Sequence, residues 1–105
     1  MPLSSVFGAL PVFLNAEKSA SVNKVAVFHF TDTNEVWSVH IRNGIAEVQN
    51  FAMPNPDIEV KVEAQIWKEL AAEIRSGLAT YAAGDIKVEP NIGELVSFLG
   101  MFDQP

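Results

Sequence analysis

The feature that most restricts the fold is the dipeptide Asn43-Gly44, set between two runs of alternating apolar residues. A two-residue hairpin turn of type I′ needs φ > 0 at both positions, and Asn-Gly meets that demand at least cost. Such a turn fixes the pairing on either side of it: Ile41 stands opposite Ala46 and Val39 opposite Val48. Upstream, residues 25–32 (VAVFHFTD) and 35–42 (EVWSVHIR) read as two more strands. A tight turn at Thr33-Asn34 would set Phe30 against Trp37, Phe28 against Val39 and Ala26 against Ile41. All six share one face, and the third strand, 45–51, continues it. The opposite face carries Thr31, His29, Val27 and Val25 against Val36, Ser38, His40 and Arg42, a wetter surface. One core face and one solvated face are what a one-sided antiparallel meander requires.

The segment Met53-Pro54-Asn55-Pro56-Asp57 breaks the meander and carries the chain to a new edge. Residues 58–64 (IEVKVEA) alternate again, with Ile58, Val60 and Val62 inward. The period then lengthens to that of a helix: Ile66, Trp67, Leu70, Ala71 and Ile74 share one face, and Gly77 is a plausible stop. Leu78 to Ala83 adds a turn or two before Gly84, and 85–89 (DIKVE) is a fifth strand. Asn91 and Glu94 have capping-box spacing ahead of a last helix whose apolar face is Ile92, Leu95, Val96, Leu99 and Phe102. At the other end, Leu3, Val6, Phe7, Leu10, Phe13 and Leu14 suggest a short helix over 3–14, disturbed at Pro11. The predicted class is α+β: a five-stranded sheet built of a three-strand meander, a crossover and two further strands, with helices covering one face. At 105 residues with 49% apolar and 19% charged side chains, the chain is expected to fold as a single domain over 1–105.

Charge excludes several functions. The net charge is −6, and Lys24, Arg42, Lys61, Lys68, Arg75 and Lys87 are scattered. Phosphate backbones and anionic bilayers need clustered cations, so neither nucleic acid nor stable membrane insertion is expected. The longest apolar stretch, Val6 to Leu14, is half a membrane span, and the residues before it lack the cations of a signal peptide. The chain has no cysteine. That removes disulfides and thiolate chemistry and fits a reducing compartment, so a cytoplasmic location is the default.

The element order, together with particular stretches, resembles the sterol carrier protein 2-like fold, and within it the C-terminal domain of bacterial alkyl sulfatases. The matching stretches are Leu14-Asn15-Ala16-Glu17-Lys18-Ser19-Ala20, Phe30-Thr31-Asp32-Thr33, Arg42-Asn43-Gly44-Ile45, the Trp67 to Leu70 helix, Ala82-Ala83-Gly84-Asp85-Ile86-Lys87-Val88-Glu89 and Phe102-Asp103. The chain departs from the family at Pro90-Asn91, where relatives have a glycine and an aspartate, and it stops soon after Asp103. The last helix is therefore expected to close the domain in its own way. The resemblance implies a binding or accessory domain for long apolar chains. In that family, hydrolysis belongs to a separate metallo-β-lactamase-like domain with a histidine-rich two-zinc motif. Nothing comparable occurs here, since the chain has two histidines.

Three functional expectations follow. The first is a non-catalytic carrier or binding domain for a fatty acyl, sterol or alkyl sulfate chain, without cofactor or metal. Its apolar lining would come from Phe28, Phe30, Trp37, Val39, Trp67, Leu70, Ile74, Tyr81, Leu95, Leu99 and Phe102. The same residues could equally be an ordinary packed core. The second is an interaction module, a homodimer or a docking partner for a separately encoded hydrolase, presenting Phe7, Phe13, Phe51 and Met53 in an exposed patch. The third, ranked well below, is a metal-dependent hydrolase built on His29 and His40, with Glu47 across the sheet from His40. Arg42 is the one candidate for an anionic headgroup, beside its reading as a solvated strand-end cation.

Overall fold

The computed structural model describes residues 2–71 and 77–103. Its meander is β1 (Asn23–Phe30), β2 (Glu35–Arg42) and β3 (Ile45–Gln49). The second hairpin turns as its sequence dictates, with φ of 51° at Asn43 and 80° at Gly44. Ile41 pairs with Ala46 and Val39 with Val48. A turn over residues 15–22 packs beneath this hairpin: Asn43 N–H donates to the Val22 carbonyl at 3.0 Å and Gly44 N–H to the Ser19 carbonyl at 3.1 Å. A Cβ at Gly44 would lie 3.3 Å from the Ala16 carbonyl oxygen, so both the φ and the close approach call for glycine.

The first hairpin differs from expectation. Phe30 pairs with Glu35, Phe28 with Trp37 and Ala26 with Val39, so the loop is the four residues 31–34 and β1 runs two residues earlier than predicted. The cause is non-local. Asp32 Oδ1 accepts from Ala64 N–H at 2.8 Å, and Thr31 N–H donates to the Val62 carbonyl at 3.1 Å, so this stretch serves a different neighbour. Asn34, at φ 59°, closes the loop by donating its N–H to the Phe30 carbonyl at 2.9 Å. Because the slip is two residues, side-chain parity survives, and the predicted core face is the observed one.

The sheet is completed by β4 (Ile58–Val62), parallel to β1, and β5 (Ile86–Glu89), antiparallel to β4, giving the order β3-β2-β1-β4-β5. The outer face is not uniformly wet. Val27 and Ser38, a cross-strand pair, are fully buried there. The crossover runs over them: Ser38 Oγ donates to the Phe51 carbonyl and accepts from Met53 N–H at 3.0 Å. Further along, Asp57 N–H donates to the Val25 carbonyl and the Asp57 carboxylate accepts from Val25 N–H, each at 2.9 Å.

Four helices among the described residues complete the fold: α1 (Leu3–Phe13), α2 (Ala64–Ala71), α3 (Gly77–Ala82) and α4 (Ile92–Leu99). Pro11 lies inside α1 without ending it. Gly84 ends α3 at φ 81°, where its N–H reaches the Tyr81 carbonyl and Asp85 N–H reaches the Thr80 carbonyl, the paired bonds of a Schellman cap. Asn91 caps α4 by accepting from Glu94 N–H at 3.0 Å, and the Glu94 carboxylate lies 3.4 Å from Lys24 Nζ. The buried stripe of α4 is Leu95 and Phe98, flanked by half-buried Ile92 and Phe102. Val96 and Leu99, expected inside, are exposed.

Gly44→Ala should destabilise the protein by about 1–2 kcal/mol, because an alanine must occupy the left-handed region against the Ala16 carbonyl. Urea denaturation with an unchanged m-value is the check.

Candidate functional site

Between the inner face of the sheet and helices α1 and α2 lies one aromatic cluster, centred on a residue from α1. Phe7 is fully buried. Its ring lies 5.3 Å from Trp37 with the planes 1° apart, and 6.4 Å from Trp67 with the planes 8° apart. The phenyl ring is thus near-parallel to both indoles. Phe28 and Phe30 meet it at a tilt, at 5.3 and 5.8 Å, and Phe28 also packs on Trp67 at 4.9 Å. Offset and edge arrangements of this kind add to the area each ring removes from water.

The elements explain the convergence. Phe28 and Phe30 are alternate residues of β1, and Trp37 is the cross-strand partner of Phe28. Trp67 stands on the first turn of α2, whose start is tied to the β1–β2 loop through Asp32. Phe7 arrives from α1, where Leu3 is the other buried side chain. Among the described residues, Trp67 Nε1 is a buried polar atom without a hydrogen-bond acceptor. An indole N–H left this way costs about 1–3 kcal/mol.

The expected lining residues divide. Phe28, Phe30, Val39, Trp67 and Leu95 are buried, while Trp37, Leu70 and Phe102 are half-buried against the same core. Tyr81 is 39% exposed and Leu99 36%, so neither belongs to the packed interior. Ile74 lies outside the described residues. Phe7 and Phe98 are the interior aromatics that the sequence reading left out of the lining. Phe7 had been assigned to an exposed patch, and of its companions there Phe51 is exposed while Phe13 and Met53 are half-buried. The signal for Phe7 was its central place in the Leu3, Val6, Phe7, Leu10 stripe; nothing local gives the depth to which it inserts.

The polar candidates stay apart. His40 does face Glu47 across the sheet, but its Nε2 lies 2.7 Å from Asn23 Oδ1, while Glu47 accepts from Gln49 Nε2 at 2.8 Å. His29 Nε2 lies 3.5 Å from a Glu59 oxygen on the neighbouring strand. The corrected register puts Val27–Ser38 between the His29 and His40 pairs, further apart than expected. Among the described residues no three His, Cys, Asp or Glu side chains are grouped to hold a metal ion. An open hollow of about 410 Å³ on the outer face is lined by His29, Phe30, Thr31, Asn34, Glu35, Val36 and Lys61. It mixes both signs of charge. Arg42 is exposed at the end of β2.

With this geometry the comparisons agree. The family described as alkyl sulfatase C-terminal matches residues 1–105, and the chain belongs to that family. The linear primary-alkylsulfatase of Pseudomonas sp. (strain ATCC 19151) is 28% identical over 90 residues, 86% of this chain and 17% of that protein. The stereoselective inverting sec-alkylsulfatase Pisa1 from Pseudomonas sp. superposes with a TM-score of 0.88 at 20% identity, over 98% of this chain and 16% of its own. The chain therefore spans about one-sixth of the length of the alkylsulfatases it matches. Palmitated SCP2L2 from Aedes aegypti superposes with a TM-score of 0.70 at 12% identity, covering 100% of this chain and 99% of that one. The fold is sterol carrier protein 2-like.

Phe7→Ala should cost about 3–5 kcal/mol, the largest loss from any single truncation in α1, because four rings lose contact with it at once. Exposed Val12→Ala should change stability by less than about 0.5 kcal/mol. Thermal or urea unfolding of the two variants side by side tests the contrast.

Proposed function

We propose that residues 1–105 act as one non-catalytic unit that binds a long apolar chain, such as a fatty acyl, sterol or alkyl sulfate tail, on the inner face of the sheet. The observation that carries this reading is the aromatic cluster under α1, in which the Phe7 ring lies near-parallel to two indoles with centroids 5.3 and 6.4 Å away. Its position beneath the helices of an SCP2-like fold supports it, as does palmitate on a neighbour of that fold. Phe28, Phe30, Trp37, Val39, Trp67, Leu70, Leu95 and Phe102 form the proposed lining. Tyr81 and Leu99 meet only the solvent-facing end of the ligand. No residue is assigned a catalytic role, and no cofactor or nucleic acid enters the reading. A cytoplasmic location goes with it, supported by the cysteine-free sequence.

A second reading rests on the relatives' length. Both matched alkylsulfatases are about six times as long as this chain, so in them the unit sits beside much more protein. Docking to a separately encoded hydrolase, or pairing with a second copy, is the corresponding role here. Exposed Val12, Ile45 and Phe51 are apolar groups available to it.

Magnitudes set the expected affinity. Burying a dodecyl chain yields about 9–10 kcal/mol at roughly 0.8 per methylene. Loss of translational and rotational freedom takes back about 4 or more. Micromolar to millimolar dissociation constants follow. Laurate below its micellar concentration should raise the melting temperature by a few degrees at about three times Kd, where linkage gives about 0.8 kcal/mol. Tryptophan emission should change over the same range, because Trp37 and Trp67 are both in the cluster. An unshifted melting curve together with unchanged emission would refute the binding reading and leave docking.

A further inference from the structure

We propose that Phe7 is the resident occupant of the ligand site, and that an amphiphile with one apolar chain and an oxygen acceptor binds by displacing α1 rather than by entering a standing cavity. This inference rests on the reading that the inner face takes an apolar chain.

Three independent observations point to it. The first is the shape of the site. Withdrawing one phenyl ring opens an apolar space bordered by four rings, those of Trp37, Trp67, Phe28 and Phe30. Such a space suits an alkyl chain. The second is the orphan donor. The Trp67 indole N–H is buried without an acceptor while Phe7 is in place, and Phe7 has no oxygen in its side chain to offer. The N–H lies in the plane of the indole, so a carboxylate, ester or hydroxyl oxygen of the ligand that reaches the indole edge supplies what the phenyl ring cannot.

The third is how α1 is held. Its sequence, LSSVFGALPVF, is a poor helix: Gly8 and Pro11 lie within it, Pro2 offers no side-chain cap, and no acidic residue occupies its first turn. Pro11 has no N–H, so the Phe7 carbonyl lacks its helical donor. An isolated helix of 11 residues is marginal in water even with good formers. Leu3 and Phe7 are its buried side chains. The C-terminal end, by contrast, is fastened: Leu14 bridges Phe102, Asn15 N–H donates to the Met101 carbonyl at 2.8 Å and Asp103 N–H to the Phe13 carbonyl at 2.7 Å. The helix is a lever hinged at residues 14–15, with Phe7 as its latch.

The test uses the full chain with laurate as the probe, and reads two quantities. In hydrogen–deuterium exchange, the amides of residues 3–13 should exchange faster when laurate is bound, while those of β1 and β2 should slow. In titrations, Phe7→Ala should bind laurate at least tenfold more tightly than the wild type, because its site no longer carries a competing occupant. The exchange measurement needs only the wild-type protein, so it decides the matter even where Phe7→Ala fails to fold. Laurate binding with α1 exchange unchanged or slowed overturns the displacement mechanism and leaves the binding function standing. Laurate binding to neither protein overturns both.

Discussion

Helices α1 and α4 are 11 and 8 residues long, too short to be stable in water by their own hydrogen bonds. Each must be held by the side chains it inserts. For α1 the decisive insertion is Phe7, whose ring touches both inner-face strands of the first hairpin and α2 together. Removing that contact leaves α1 held by Leu3, with Val6 and Leu10 half-buried against the core, and takes a neighbouring ring from both Trp37 and Trp67. The sheet itself depends less on it, since β1 is paired on both sides and its hydrogen bonds are satisfied within the sheet. The stability of this fold is therefore graded: a self-sufficient central sheet, and helices attached by a few large side chains.

What was legible in the sequence was whatever a local constraint determined. Asn43-Gly44 sets its own φ angles, and the register of the second hairpin follows from nothing else. Side-chain parity along β1, β2 and β4 is equally local, which is why the core face was readable even where the first turn was not. Thr33-Asn34 misled because Asp32 is recruited to the start of α2, a partner 32 positions away. The outer face is drier than expected for a similar reason: Ser38 faces outward by parity, yet the 51–53 backbone settles on it and takes both of its hydrogen bonds. A serine between Val36 and His40 on the outward face is consistent with either a wet face or a covered one.

Helix faces were less legible than strand faces, and α4 illustrates the limit. Ile92, Leu95, Val96, Phe98, Leu99 and Phe102 are apolar, so a stripe through Val96 and Leu99 and one through Phe98 satisfy helical spacing equally well. The choice is made by Phe98 packing against Phe102, which lies past the end of the helix beside Leu14. In α1 the spacing gave the correct face but no depth. Leu10 and Phe7 are on the same side of the helix, and one is half-buried while the other is sealed. Depth is a property of the space beneath a helix, and that space is made by two tryptophans distant in sequence.

The open alternative of the sequence reading was an inner face filled by its own side chains or by a guest. Phe7 recasts it as a competition. An empty space of this kind would cost about 24 cal/mol per Å³, so a chain this small has reason to fill it. Filling it with a permanently anchored residue would close the site. Filling it from a helix of low intrinsic stability leaves a closing contact of about 3–5 kcal/mol, the scale of a phenylalanine truncation. A dodecyl chain brings about 9–10 kcal/mol of burial, less 4 or more for association, so the exchange is close to balanced. On the proposed mechanism, displacing Phe7 offsets most of what the chain gains by burial, so release is as easy as capture.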